Sequence, residues 1–104
     1  MAHNITSSAT VHIERPARWA RQLVSHLSRR HGGEWTPERN EGWIDLKDGS
    51  ATVGVVGEVL SLSVTASAND IELMEQVVGG HLLRFAGALK PEIRWNRSED
   101  ATRN

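Results

Sequence analysis

The segment from Asp48 to Thr65, DGSATVGVVGEVLSLSVT, decides how this chain folds. Ala51, Val53 and Val55 recur at every second position, and Leu60, Leu62 and Val64 alternate with Ser61, Ser63 and Thr65. That period of two puts apolar side chains on one face of a strand and hydroxyls on the other. Gly57–Glu58 separates the two runs and Asp48–Gly49 precedes them, both as turn dipeptides. The segment therefore reads as strands of a meander whose sheet needs apolar cover on one side only.

Moving toward the N-terminus, Trp43 to Leu46 reads as the preceding strand, entered by a turn at Asn40–Glu41–Gly42, and Glu34 to Thr36 as a shorter strand before Pro37. Pro16 opens a helix, because its fixed φ suits a first helical turn. Trp19, Ala20, Leu23, Val24 and Leu27 follow at helical spacing, and Gly32–Gly33 stops them. Ala9, Val11 and Ile13, alternating with Thr10, His12 and Glu14, form an opening strand.

Toward the C-terminus, Asn69 is predicted to cap a second helix, with Glu72 reaching back in a capping box. Ile71, Met74, Val78, His81, Leu82 and Phe85 share its inner face. Gly79 and Gly80 fall mid-helix at about 0.5–1 kcal/mol each against alanine, to be offset by close packing or a bend. Ile93 and Trp95 point together from a last strand, with Glu92 and Arg94 opposite.

The order β-α-β-β-β-β-α-β predicts an α+β two-layer sandwich, a largely antiparallel sheet with both helices on one face. Residues 9–96 form one domain, flanked by polar stretches 1–8 and 97–104 expected to be flexible tails. A chain of 104 residues fits a single core. The absence of cysteine rules out disulfides, a thiolate nucleophile and cysteine-ligated metal centres. No run nears the roughly 18–20 apolar residues of a membrane span, so a cytoplasmic protein with no membrane partner is expected. A net charge of −1 gives no global attraction to nucleic acid.

Chemistry-bearing patterns are sparse. There is no glycine-rich phosphate loop after a strand, no nucleophile elbow and no HExxH, so an enzyme is unsupported and no catalytic residue is assigned. The uncovered sheet face is expected to present His12, Glu14, Trp43, Asp45, Thr52, Ser61, Ser63, Thr65 and Arg94. A solvated face is the plain reading. A ligand surface around His12, Trp43, Asp45 and Arg94, or an isologous homodimer, are the alternatives.

Among the histidines, His26 and His31 lie about 140° apart around their helix and share no face. His81 sits in an apolar stripe, where a ring satisfied by a backbone carbonyl or carboxylate is the ordinary reading. His26, at the edge of the first helix's apolar face, approaches His81 if the helices pack side by side. The pair would then be a candidate metal or haem site, with no third ligand indicated. Arg15, Arg18, Arg21, Arg29 and Arg30 give the first helix a basic outer side, either solvated or attractive to an acidic ligand. Of four tryptophans, Trp19 and Trp95 read as core, while Trp35 and Trp43 are candidates for partial exposure. With Trp43 alone on the open sheet, an aromatic platform for nucleic acid is lacking.

The run His81-Leu82-Leu83-Arg84-Phe85-Ala86, followed by Ile93-Arg94-Trp95 and preceded by Leu23 and His26, resembles the bacterial family called domain of unknown function 2218. The resemblance spans about residues 9–96. It implies a link to siderophore-interacting flavin reductases, so such a reductase or a ferric siderophore is an expected partner. Members often carry a second histidine three residues after the position of His26; here that residue is Arg29, which weakens a transferred metal site. The resulting expectation is a small non-enzymatic binding or accessory module in siderophore or iron handling. No resident cofactor is expected, with iron or haem entering only through His26 and His81. A self-associating structural domain is the third reading.

Overall fold

The computed structural model describes residues 4–99. The outer parts of both expected tails, 1–3 and 100–104, lie outside the described residues. In chain order the elements are β1 (Asn4–His12), α1 (Pro16–His31), β2 (Gly33–Thr36), β3 (Glu41–Asp45), β4 (Gly49–Val56), β5 (Val59–Ser67), α2 (Ile71–Ala86), a 3-10 turn at Gly87–Leu89, and β6 (Asn96–Glu99). The strands form one antiparallel sheet in the order β2-β3-β4-β5-β1-β6. The α+β sandwich read from the sequence is the architecture found. Among the described residues, no helix is long and apolar enough to cross a membrane.

The β4–β5 hairpin lies inside the sheet, closed by Gly57 at φ 63° between the paired Val56 and Val59. Its alternation has the expected outcome: Ala51, Val53, Leu60, Leu62 and Val64 are buried. Leu23 and Val24 of α1 and Ile71, Val78 and Leu82 of α2 complete the same core. Both helices cover that face, α1 over the β2–β4 end and α2 over β5 and β1.

The main departures from the sequence reading are at the chain ends. Residues 4–8 and 97–99, read as tails, are strand: Thr6 pairs with Ser98, Ser7 with Arg97 and Ser8 with Asn96. The polar composition hid this because the inward residue of β1 is a serine. Ser7 is fully buried and donates to Glu75 Oε2 at 2.5 Å, while Arg97 grips both Glu75 oxygens at 2.8 Å. A bidentate guanidinium–carboxylate pair is among the stronger polar contacts and satisfies a carboxylate that burial would otherwise penalise.

The Arg97 hydrogen bonds, opposed by burial and aided by Ser7, hold the Glu75 carboxyl below its ordinary pKa. A depressed folded-state pKa contributes stability that is present above the unfolded value and is lost as pH falls through the folded one. The melting temperature is therefore expected to fall on acidification below about pH 4.5 by less in Glu75→Gln than in the parent. Parallel pH curves for the two proteins would show that Glu75 contributes nothing to acid sensitivity.

The last strand also lies further along than read. Ile93 and Trp95 belong to an extended segment before β6 that packs on α2 at Gly79, where a Cβ would stand 3.5 Å from Trp95 Nε1 and 3.7 Å from Ile93 Cδ1. Those are ordinary contact distances, so the segment rests on Gly79 without its packing requiring a glycine there. At Gly80 a Cβ would meet nothing within 4 Å. Gly80→Ala is accordingly expected to raise stability by about 0.5–1 kcal/mol in chemical denaturation, through helix propensity alone.

Three local expectations are also corrected. The cap of α2 is Asp70, without a side-chain capping bond; its Oδ2 instead accepts from Ser67 Oγ at 3.1 Å, so no capping box forms with Asn69. The turn before β3 spans residues 37–40, with Asn40 at φ 52°, and Glu41 already pairs in the strand. The turn before β4 bends at Lys47, φ 74°, and is closed by Leu46 N–H donating to Gly49 O at 2.9 Å.

Candidate functional site

Packing α1 beside α2 brings together two histidines that lie 55 positions apart (81 − 26). The rings of His26 and His81 have centroids 5.0 Å apart and are tilted by 42°. Phe85, one turn after His81 on α2, presents its ring edge-on to His26 at 5.4 Å and backs the pair. His26 is exposed and His81 half-buried.

The position of His81 in an apolar stripe is satisfied within its own helix, its Nδ1 lying 2.7 Å from Val77 O, one turn back. A carbonyl only accepts, so this bond puts the proton on Nδ1 and leaves the Nε2 lone pair free in the neutral ring. Partial desolvation first, then repulsion from His81, Arg29 and Arg84, hold His26 below the ordinary histidine pKa. Both effects favour neutral imidazole, the form that coordinates metals.

Beside the pair lies a hollow of about 380 Å³, rimmed by Arg30, His31 and Asp45. Leu27, Leu46 and Val77 line its apolar part. Arg30 and His31 arrive because α1 runs to His31 before Gly32, and Asp45 because β3 ends at that side of the sheet. Asp45 Oδ1 is oriented by the Lys47 N–H at 2.8 Å. The helical angle separated His31 from His26, and the hollow spans that angle. Among the described residues, no three His, Asp or Glu side chains cluster closely enough to hold an ion unaided.

The four residues named for the sheet-face site do not converge. His12 and Arg94 border one hollow with Thr10, Lys90 and Glu92, and Arg94 Nε donates to Glu92 Oε2 at 2.8 Å. Trp43 lies on β3, three strands from β1 and thus roughly 14 Å away across the sheet. Asp45 belongs to the histidine hollow. The open face is polar as expected, with cross-strand partners Glu34, Trp43, Thr52, Ser63, Ser8 and Asn96 forming one row across all six strands. Trp19, Trp35 and Trp95 are half-buried against the core, and Trp43 is 49% exposed.

These features define a small two-layer α+β domain with a paired-histidine hollow under its helices and an open hydroxyl-rich sheet. The chain belongs to a bacterial family described as uncharacterized protein conserved in bacteria, domain of unknown function 2218, whose model matches residues 8–96. It is similar to the NMR structure of PA4090 from Pseudomonas aeruginosa, at 27% identity and a TM-score of 0.66, over 90% of this chain and 95% of that one. Comparison with curated proteins finds no match.

Proposed function

We propose that this protein is a cytoplasmic, non-enzymatic binding module whose cargo is an anionic metal chelate of the ferric-siderophore class, held in the hollow beside His26 and His81. The observation that carries this reading is the 5.0 Å spacing of the two rings. A metal about 2.1 Å from an imidazole nitrogen lies about 3.2 Å from the ring centroid, and two such rings at 90–109° are about 4.5–5.2 Å apart. Axial imidazoles of a bis-histidine haem face each other across the macrocycle at roughly 6.4 Å, a wider spacing than this pair offers.

Charge selects the chelate over the bare ion. Arg29, Arg30 and Arg84 surround the pair, against Asp45 as the one carboxylate among the described residues lining the hollow, so an aquated cation is repelled whereas an ion inside an anionic ligand is attracted. Two protein donors suffice when the chelate supplies the other positions. In this reading the partner that consumes the cargo is a siderophore-interacting flavin reductase, the kind of protein to which the family resemblance implies a link.

The test compares gallium(III) chelates, diamagnetic stand-ins for iron, by NMR of histidine-labelled protein. A tetradentate bis-catecholate leaves two of six positions open and is expected to shift the ring signals of both His26 and His81. A hexadentate chelate leaves none and is expected to bind far more weakly. Equal binding of the two, or ring signals unmoved by either, would sink the proposal.

A further inference from the structure

A second hollow, of about 440 Å³, opens on the uncovered sheet face over β3 and β4, remote in chemistry from the histidines. Its size falls in the roughly 300–1,000 Å³ range of small-molecule sites. Trp43 forms one wall, and register places the rest: Trp43 opposite Thr52, Glu41 opposite Gly54, and Gly54 opposite Ser61.

Two observations give this hollow a purpose beyond solvation. Packing does not demand Gly54: a Cβ there would sit at an ordinary 3.5 Å from Glu41 Cβ, and its φ is not left-handed. What the missing side chain leaves is depth beside an indole face. In addition, the fixed charge nearly cancels. Arg39 and Glu41 pair at 3.7 Å, while exposed Glu34 stands directly opposite Trp43 on β2.

An aromatic face next to hydroxyls and a neutralised ion pair, with one carboxylate beyond, disfavours phosphate-bearing ligands and suits a neutral polyhydroxylated ring. The C–H face of a pyranose stacks on an indole while its hydroxyls meet polar side chains. We infer that this hollow binds a neutral carbohydrate chain, with one pyranose stacked on Trp43 and the chain crossing the strands along Thr52, Ser63 and Ser8. That row extends roughly 14 Å from β3 to β1, so several sugar units lie within it. The inference stands independently of the histidine hollow.

The experiment follows indole N–H signals during titration with neutral tetrasaccharides of β-1,4-linked glucose, α-1,4-linked glucose and N-acetylglucosamine, their monosaccharides, and AMP. At least one tetrasaccharide is expected to shift the Trp43 signal and to bind more tightly than its monosaccharide. Trp43→Ala is expected to weaken that binding about ten-fold or more, with the circular dichroism of the folded domain retained. Gly54→Val, which fills the hollow and leaves the indole in place, should do the same, and serves if Trp43→Ala fails to fold. His26→Ala should bind the sugar as the parent does. No saccharide-induced shift, binding that survives both variants, or a response to AMP alone would overturn the inference.

Discussion

Gly33→Ala is expected to cost at least about 3 kcal/mol of folding stability. A Cβ on Gly33 would stand 2.5 Å from Trp43 O, 2.7 Å from Ser28 Cβ and 3.1 Å from Ile44 Cα. Two of those atoms are backbone of β3 and cannot rotate away. The residue also holds φ 155°, which L side chains rarely adopt, so strain adds to overlap. This glycine is where the chain leaves α1 and immediately pairs as β2, with Gly33 opposite Ile44. Urea denaturation followed by circular dichroism measures the effect. Gly32→Ala is the informative comparison: it shares a left-handed φ of 113° but has no atom within 4 Å of the new methyl, and is expected to cost clearly less. Equal costs at the two positions would show that strain, not overlap, governs the α1–β2 junction.

His81→Ala is expected to lower affinity for the tetradentate chelate by about 100-fold, as loss of one of two metal donors should. Calorimetry with the gallium complex gives the number. His26→Ala is the cleaner partner experiment, since that ring is exposed and its removal opens no cavity. Binding in the parent should weaken as pH falls, because coordination needs neutral imidazole. Partial desolvation, and after it the surrounding positive charge, depress the His26 pKa, so the loss at that ring should set in below the ordinary value of about 6.5. Chelate binding that strengthens on acidification would point to simple ion pairing with imidazolium instead.

Element types were legible in the sequence wherever one face of an element is apolar. The residues Ala51 to Thr65, with the stripes Ala20–Leu23–Val24 and Ile71–Met74–Val78–Leu82, carry that signal, and all these apolar positions but Val55, Val56 and Val59 are buried. The strand ends 4–8 and 97–99 were illegible for a physical reason. Their inward position is Ser7, made tolerable by Glu75 and Arg97, two residues 22 positions apart whose partnership no local pattern records.

The candidate sites show the same division. Proximity of His26 and His81 followed from two apolar helix faces once these were packed together. The contribution of Arg30, His31 and Asp45 depended on where α1 and β3 terminate, and that is set by tertiary structure. The cluster of His12, Trp43, Asp45 and Arg94 failed to assemble because period-two patterning assigns a face and says nothing of strand order. With β4 and β5 between β3 and β1, residues on one face can still be far apart.

The pairing of β1 with β6 has a topological consequence. Ile5 lies opposite Glu99, so the described chain almost closes on itself, its two ends meeting at one corner of the sheet. Those ends lie three strand spacings (β1, roughly 14 Å) and four (β6, roughly 19 Å) from β3. Both described ends thus sit at the opposite side of the sheet from β3, leaving the strand that serves both hollows clear of them.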